Sequence, residues 1–156
     1  MILNVRTLGL NAVVIGRSHN VGLPIQIILG ADSAKGGCDM TTSLCHRHTP
    51  VSQLHSALAS AHLVVSAAGV PRLLHRNIVR PGAVIIDVGL NRVAGKLVGD
   101  AADNVREVAS VVTPVPGGVG PCTVASLMHN TLLAAKSLQG AFVTNQTLTP
   151  QTSMSF

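Results

Sequence analysis

Residues 11–30, "NAVVIGRSHNVGLPIQIILG", decide how the rest of the chain is read. "NAVVIG" (11–16) is a short aliphatic, β-branched run closed by a glycine, the pattern of a buried strand. "VGLPIQIILG" (21–30) follows at once with apolar residues on a helical period. Pro24 falls early enough to sit in a first turn, where its missing N–H removes no helical bond. Strand, tight turn and helix in succession predict one βα unit. Gly16 supplies a sharp exit from the strand and Ser18 a hydroxyl. Gly22 permits close approach at the helix start, where free N–H groups attract phosphate. The match to a G-x-G-x-x-G fingerprint is partial, because Ser18 stands where the second glycine would be. An ordinary strand-to-helix turn is the plainer alternative. Its place at the start of a repeated βα pattern favours a dinucleotide site.

That repeat continues outward. "MTTSLC" (40–45) predicts a strand and "TPVSQLHSALASA" (49–61) a helix, with Thr49 as a cap and Pro50 at the first helical position. "HLVVSAAG" (62–69) predicts the next strand, followed by a short helical piece around 74–79. "GAVIIDVG" (82–89) is the most strand-like segment in the chain. "SVVTPVP" (110–116) adds a last short strand and "TVASLMHNTLLAAKSLQ" (123–139) a helix. Continuous aliphatic strands alternating with helices predict an α/β fold, a doubly wound parallel sheet of Rossmann-like type, over residues 1–139. Residues 140–156 are rich in Thr, Gln and Ser without periodicity and read as a loose tail.

Composition narrows the partners. The 156 residues, 47% of them hydrophobic, suit one domain. Trp and Tyr are absent and Phe occurs only at Phe142 and Phe156, so stacking on nucleic-acid bases is disfavoured. Eleven basic against six acidic residues favour an anionic partner, and the scattered arginines suit a small anion rather than a polyanion track. Cys38, Cys45 and Cys122 are odd in number and lack C-x-x-C spacing, so neither a disulfide framework nor a zinc site is supported, and a reducing compartment is the simplest reading. No apolar run reaches the roughly 18 residues of a membrane span. No signal or transit peptide is visible in "MILNVRTLGLN" (1–11).

In open α/β sheets, ligands sit beyond the carboxyl ends of the strands. The second strand runs into "CHRHTP" (45–50), which offers Arg47 and no acid. Spacing alone therefore favours NADP over NAD, with Arg17 and Arg47 as a two-sided phosphate clamp. His46 and His48 read as polar surface groups. "SAAG" (66–69) and "DVGLN" (87–91) place small residues after strands, where a ring or ribose could lie against the backbone. Asp87 reads as a hydrogen-bond anchor for neighbouring loops rather than a catalytic acid. In "TPVPGGVGPCT" (113–123) the prolines hold one shape, while Gly117, Gly118 and Gly120 let a planar ligand or nicotinamide reach main-chain amides.

Taken together, "VVIGRSHNVGLP" (13–24), "PGAVIIDVGLNRV" (81–93), "KLVGD" (96–100) and "TPVPGGVGPCTVASLMHNTLLAAK" (113–136) resemble the methylenetetrahydrofolate dehydrogenase/methenyltetrahydrofolate cyclohydrolase family. The likeness runs from about Thr7 to Lys136, and PGGVGP followed by a hydrophobe and Thr is a family signature. Cys122 departs from the usual Met or Phe, and "GDAADN" (99–104) from the usual GDV followed by an aromatic. The resemblance implies the cofactor portion of a bifunctional enzyme of one-carbon folate metabolism. Gly16, Arg17, Ser18, Leu90 and Thr123 would contact the dinucleotide, and Gly117, Gly118, Val119 and Gly120 would line the folate side.

The "GGCDM" loop (36–40) with "CHRHTP" resembles the mitochondrial, NAD-using branch, in which Arg replaces a Ser common in cytosolic and bacterial relatives. That branch implies an inorganic phosphate held by Arg17 and Arg47 with help from Mg²⁺, Asp39 taking part. Loop and arginine agree, so NAD becomes the expected cofactor and NADP the alternative. The likeness also implies a dimer and a mitochondrial location, with the cytoplasm as alternative.

Family members carry a preceding domain with a catalytic Lys, a Tyr and an acidic or amide partner. Tyr is absent here, and Lys35, Lys96 and Lys136 match no catalytic motif. The resemblance thus implies that the N-terminal catalytic folate domain is absent, that no catalytic residue lies in the chain, and that it is inactive alone. The alternative function is a non-catalytic nucleotide-binding or dimerisation module, a truncated isoform or regulatory remnant.

Overall fold

The aliphatic runs assemble into a five-stranded parallel sheet. The computed structural model describes residues 6–146, with side chains through residue 138. In chain order the strands are β1 (Asn11–Ile15), β2 (Thr41–Cys45), β3 (Leu63–Ser66), β4 (Val84–Asp87), β5 (Asn91–Val93), β6 (Lys96–Val98) and β7 (Val111–Val112). The helices are α1 (Gly22–Gly30), α2 (Val51–Ser60) and α3 (Val119–Gln146). The sheet runs β2-β1-β3-β4-β7, with every pairing parallel. The chain first steps outward from β1 to β2, then crosses back to β3. Strand order therefore reverses between β1 and β3, where such sheets open a crevice at their carboxyl ends.

Both faces of this sheet are buried, which is why its strands read as continuous rather than alternating aliphatic runs. Val13, Ile15, Val64 and Ile85 pack with Leu58 of α2, Leu74 and Val105 on one face. Ala12, Val14, Leu63 and Val65 pack on the other with Leu29 of α1 and Met40. Cys45 is buried at the end of β2, where desolvation pushes its thiol up from the ordinary value.

Several elements differ from the sequence reading. No helix forms at 74–79. Leu74 instead donates its N–H to the Asp100 carbonyl at 2.9 Å and accepts from Ala102 N–H at 2.9 Å, so this backbone pairs with a distant segment rather than with itself. Burial of Leu74 and Val79 holds it there. Pro50 occupies the cap position of α2, and Thr49 Oγ1 accepts from His46 N–H at 2.9 Å instead of capping the helix. Helix α3 begins four residues before Thr123, at Val119, because Pro121 falls in its first turn, where no N–H is needed. It continues to Gln146, past residue 139, where a loose tail was expected to begin. Residues 147–156 lie outside the described residues.

The antiparallel β5–β6 hairpin has no counterpart in the sequence reading. Its two-residue loop puts Ala94 at φ 49 and Gly95 at φ 78, the paired positive angles that match hairpin twist. A 3-10 helix, Asp103–Glu107, follows. The chain divides at Gly120 and Pro121 into two compact units, the first holding the sheet, hairpin, α1 and α2, the second most of α3.

Candidate functional site

At the switch point three stretches of backbone meet with no room for side chains. Gly16 leaves β1 at φ 114 and donates its N–H to the Cys45 carbonyl at 2.9 Å. Ala67 leaves β3 and donates to the Ile15 carbonyl at 2.7 Å. A Cβ on Gly16 would strike the Ala67 carbonyl oxygen, and one on Gly22 would strike the carbonyl oxygen of Gly16. Ser18 closes the turn: its carbonyl accepts from Leu23 N–H at 3.1 Å and its hydroxyl from Val21 N–H at 3.2 Å. The start of α1, with the positive end of its dipole, therefore stands at a turn packed backbone on backbone, and its N–H groups are donors suited to a phosphate diester.

Arg17 and Arg47 flank that turn. Ile15 lies opposite Cys45 in the β1–β2 register, so the two arginines each follow the last paired row by two residues, on strands about 4.8 Å apart. Both are exposed. His46 Nδ1 accepts from His48 N–H at 3.2 Å, so these histidines shape the surface loop carrying Arg47, in keeping with a non-ligand reading.

Asp39 does not join the arginines. It precedes β2 while Arg47 follows it, so a five-residue strand about 13 Å long lies between them. Asp39 works instead in its own loop: its carboxylate accepts from Ser33 N–H at 3.1 Å and its N–H donates to the Ala31 carbonyl at 3.0 Å. Among the described residues no group of three or more His, Cys, Asp or Glu could hold a metal ion. Asp39 is the one carboxylate in the trio of Arg17, Arg47 and Asp39, and its Oδ1 is engaged by Ser33 N–H.

Two buried carboxylates tie the rest of the rim together. Asp87, at the end of β4, accepts from Gly89 N–H at 3.1 Å, Asp100 N–H at 3.0 Å and Ala101 N–H at 2.8 Å, and is indeed a loop anchor. Its own N–H donates to Thr113 Oγ1 at 2.8 Å. The sequence reading missed Asp100. Its Oδ2 accepts from Ser66 Oγ at 2.9 Å, Ala68 N–H at 2.9 Å and Gly69 N–H at 3.2 Å. Its Oδ1 accepts from Val70 N–H and Asn91 Nδ2, each at 3.0 Å. The glycines at 89 and 99 serve this network, since a Cβ on either would overlap the carboxylate of Asp100 or Asp87 respectively. An acid closing "KLVGD" was the available signal.

Burial raises the Asp87 pKa above the usual carboxylate value. The Asp100 carboxylate adds to this, and three backbone N–H groups work against it. The folded state thus binds the Asp87 proton more tightly than the unfolded state, so this group's contribution to stability falls as pH rises through the window above about 3.8. Chemical denaturation of wild type and Asp87→Asn across pH 3–7 should show the stability gap moving against wild type as pH rises. A gap that is flat or reversed across that range would refute this assignment.

The 113–120 loop follows β7, and its Val115–Pro116 peptide is cis. A Cβ on Gly118 would lie 2.5 Å from the Pro114 carbonyl oxygen, so that glycine serves closure of the loop itself. Gly117, at φ 99, and Gly120 have open space where a side chain would project, and they remain the bare windows. Val119 and Gly120 belong to the first turn of α3, and Thr123 lies further along that helix. A polar cavity of about 160 Å³ beside Asp87 is lined by Arg72, Arg106, Thr113 and Val115. It sits on the β4–β7 side, away from the switch point.

Comparison with known proteins agrees with this geometry. Residues 2–139 match the model of the tetrahydrofolate dehydrogenase/cyclohydrolase NAD(P)-binding domain. The chain is 50% identical over 143 residues to the Drosophila melanogaster mitochondrial bifunctional methylenetetrahydrofolate dehydrogenase/cyclohydrolase, covering 86% of this chain and 46% of that protein. It is 46% identical to the second mitochondrial enzyme of that name from Homo sapiens, covering 86% and 41%. Among solved structures, a silkworm 5,10-methylenetetrahydrofolate dehydrogenase superposes with a TM-score of 0.84 at 48% identity, covering 88% of this chain and 48% of that one. A Trypanosoma brucei methylenetetrahydrofolate dehydrogenase-cyclohydrolase, solved with NADP cofactor and an inhibitor, gives 0.71 at 38% identity, covering 82% and 44%. The chain spans about half the length of these relatives.

Proposed function

The chain belongs to the tetrahydrofolate dehydrogenase/cyclohydrolase family through its NAD(P)-binding domain, and from that premise we propose that it serves as the cofactor half of a bifunctional methylenetetrahydrofolate dehydrogenase/cyclohydrolase. The observation that carries the reading is the close backbone packing at Gly16 and Gly22 at the β1/β3 switch point, where a Cβ on either glycine would strike a main-chain carbonyl oxygen, so that the turn keeps its N–H groups free of side chains. The N–H groups at the start of α1 face the dinucleotide pyrophosphate, with Gly16, Arg17 and Ser18 around it. Leu90, on the loop after β4, is assigned to the dinucleotide, and the family resemblance implies a dinucleotide contact for Thr123 as well. Gly117, Gly118, Val119 and Gly120 line the folate side. When bound, the dinucleotide exchanges a hydride at its nicotinamide ring. The chain's part is to hold and orient it.

We assign NAD as the preferred cofactor, with Arg17 and Arg47 holding an inorganic phosphate where NADP would carry its 2′-phosphate. Two guanidinium groups from adjacent strand ends support this, without Asp39. Calorimetric titration should show phosphate tightening NAD⁺ binding, and Arg47→Ser should abolish that gain, about a tenfold effect for one charge-assisted contact. Tighter binding of NADP⁺ with and without phosphate would overturn the NAD assignment.

A homodimer and a mitochondrial location belong to the same proposal; the names of the fly and human relatives support the location, and bacterial relatives match as well. The 156 residues alone are expected to bind dinucleotide without turning over methylenetetrahydrofolate. A turnover assay with NAD⁺ also separates this reading from a purely non-catalytic nucleotide-binding or dimerisation module: adding, as a separate polypeptide, the part of a relative that lies outside the matched region should give activity only under the first.

A further inference from the structure

We infer that Val70 is a further dinucleotide-contact residue, paired with Leu90 across the crevice, and that buried Asp100 is the positioning residue that sets their spacing. This rests on the dinucleotide reading above. Val70 and Leu90 are large aliphatic residues left 47% and 64% exposed, on the loops that leave β3 and β4 at the carboxyl end of the sheet. These are neighbouring strands, with Ser66 opposite Asp87 in the last paired row. Trp and Tyr are absent from the sequence, and on the stretches 67–70 and 88–90 the large side chains left exposed are aliphatic. Aliphatic side chains must then supply the apolar walls that a planar ring requires.

One oxygen links the two loops. Asp100 Oδ1 accepts from Val70 N–H and from the side-chain amide of Asn91, the residue after Leu90, each at 3.0 Å. The two nitrogens therefore lie within twice that distance of each other. Asp100 Oδ2 holds Ala68 and Gly69 N–H of the same loop, and Gly69 turns the chain at φ 66 immediately before Val70. At its other end the loop is fixed to the Gly16 turn, through Ala67 N–H donating to the Ile15 carbonyl and the close approach of Ala67 to Gly16. Asp100 is fully buried, so water does not compete for its oxygens.

The test is calorimetric titration with NAD⁺ and NADP⁺, alongside melting temperatures, on wild type, Val70→Ala, Val70→Ile, Asn91→Ala and Val79→Ala. Val79 is buried at the opposite end of the sheet and reports stability alone. Val70→Ala and Asn91→Ala should each raise Kd about tenfold, as expected for lost apolar contact or lost loop placement at a binding site. Val70→Ile should bind at least as tightly as wild type. Val79→Ala should lower the melting temperature most and leave Kd within about twofold of wild type. If wild type binds dinucleotide but Val70→Ala and Asn91→Ala bind equally well, the inference is wrong and the proposed function stands. If Val79→Ala weakens binding as much as they do, affinity merely follows stability and the inference is also wrong. Failure of wild type to bind either dinucleotide would remove the proposed function and this inference together.

Discussion

Asp100→Asn is expected to destabilise the fold by about 2–4 kcal/mol, although it changes one atom. The carboxylate accepts five hydrogen bonds, and an amide offers one acceptor oxygen in place of two. The least damaging orientation keeps the oxygen toward Ser66, Ala68 and Gly69 and turns the new NH₂ toward Val70 and Asn91. Asn91 can flip its own amide to accept. Val70 N–H cannot, and is left facing another donor in a site sealed from water. Asp100→Ala strands all five donors, a loss comparable to the whole stability of an ordinary domain, and should abolish cooperative unfolding. Denaturation midpoints decide the matter: Asp100→Asn within about 0.5 kcal/mol of wild type, the range of an ordinary surface change, would mean that the network is not what holds these loops.

Gly22→Ala should cost more in binding than in stability. The added methyl would land on the Gly16 carbonyl oxygen, and backbone on backbone leaves no flexible side chain to yield. Either α1 retreats or the 16–22 turn shifts, at about 1–3 kcal/mol of overpacking. Both responses move the amides aimed at the pyrophosphate, and a displacement near 1 Å at such a site is worth about a hundredfold. Titration with NAD⁺ and NADP⁺ should therefore show affinity falling by at least that factor in a protein that still melts cooperatively. Near wild-type affinity for either dinucleotide in a folded Gly22→Ala protein would place the pyrophosphate elsewhere.

Much of this was written locally in the chain. Residues 11–30 specify a strand, a glycine turn and a helix because each choice is made by neighbours: β-branched residues fit a pleated surface, Gly16 permits a sharp exit and Pro24 suits a first turn. Local pattern likewise placed β2, β3, β4 and α2 within a few residues and identified Asp87 as an anchor. What escaped it has a common cause. The 74–79 stretch forms turns because Leu74 pairs with residues 100–102, and no local signal encodes a partner some twenty-five positions away. The β5–β6 hairpin turns on Ala94-Gly95, a weaker sequence signal than Asn-Gly.

Asp39 and Asp100 mark the boundary most clearly. By resemblance Asp39 belonged with Arg17 and Arg47, but which end of β2 a residue occupies is decided by strand direction in the assembled sheet, and a five-residue strand separates them. Asp100 looked like one acid after a glycine until folding brought Ser66, Ala68, Gly69, Val70 and Asn91 around it. The sequence by itself determined the βα repeat, the glycine turn and the pair of arginines, because these depend on neighbouring residues and on strands that leave one edge together. Only the tertiary structure decided which carboxylate sits at that edge and what it holds, because a buried charge is defined by the donors that distant segments bring to it.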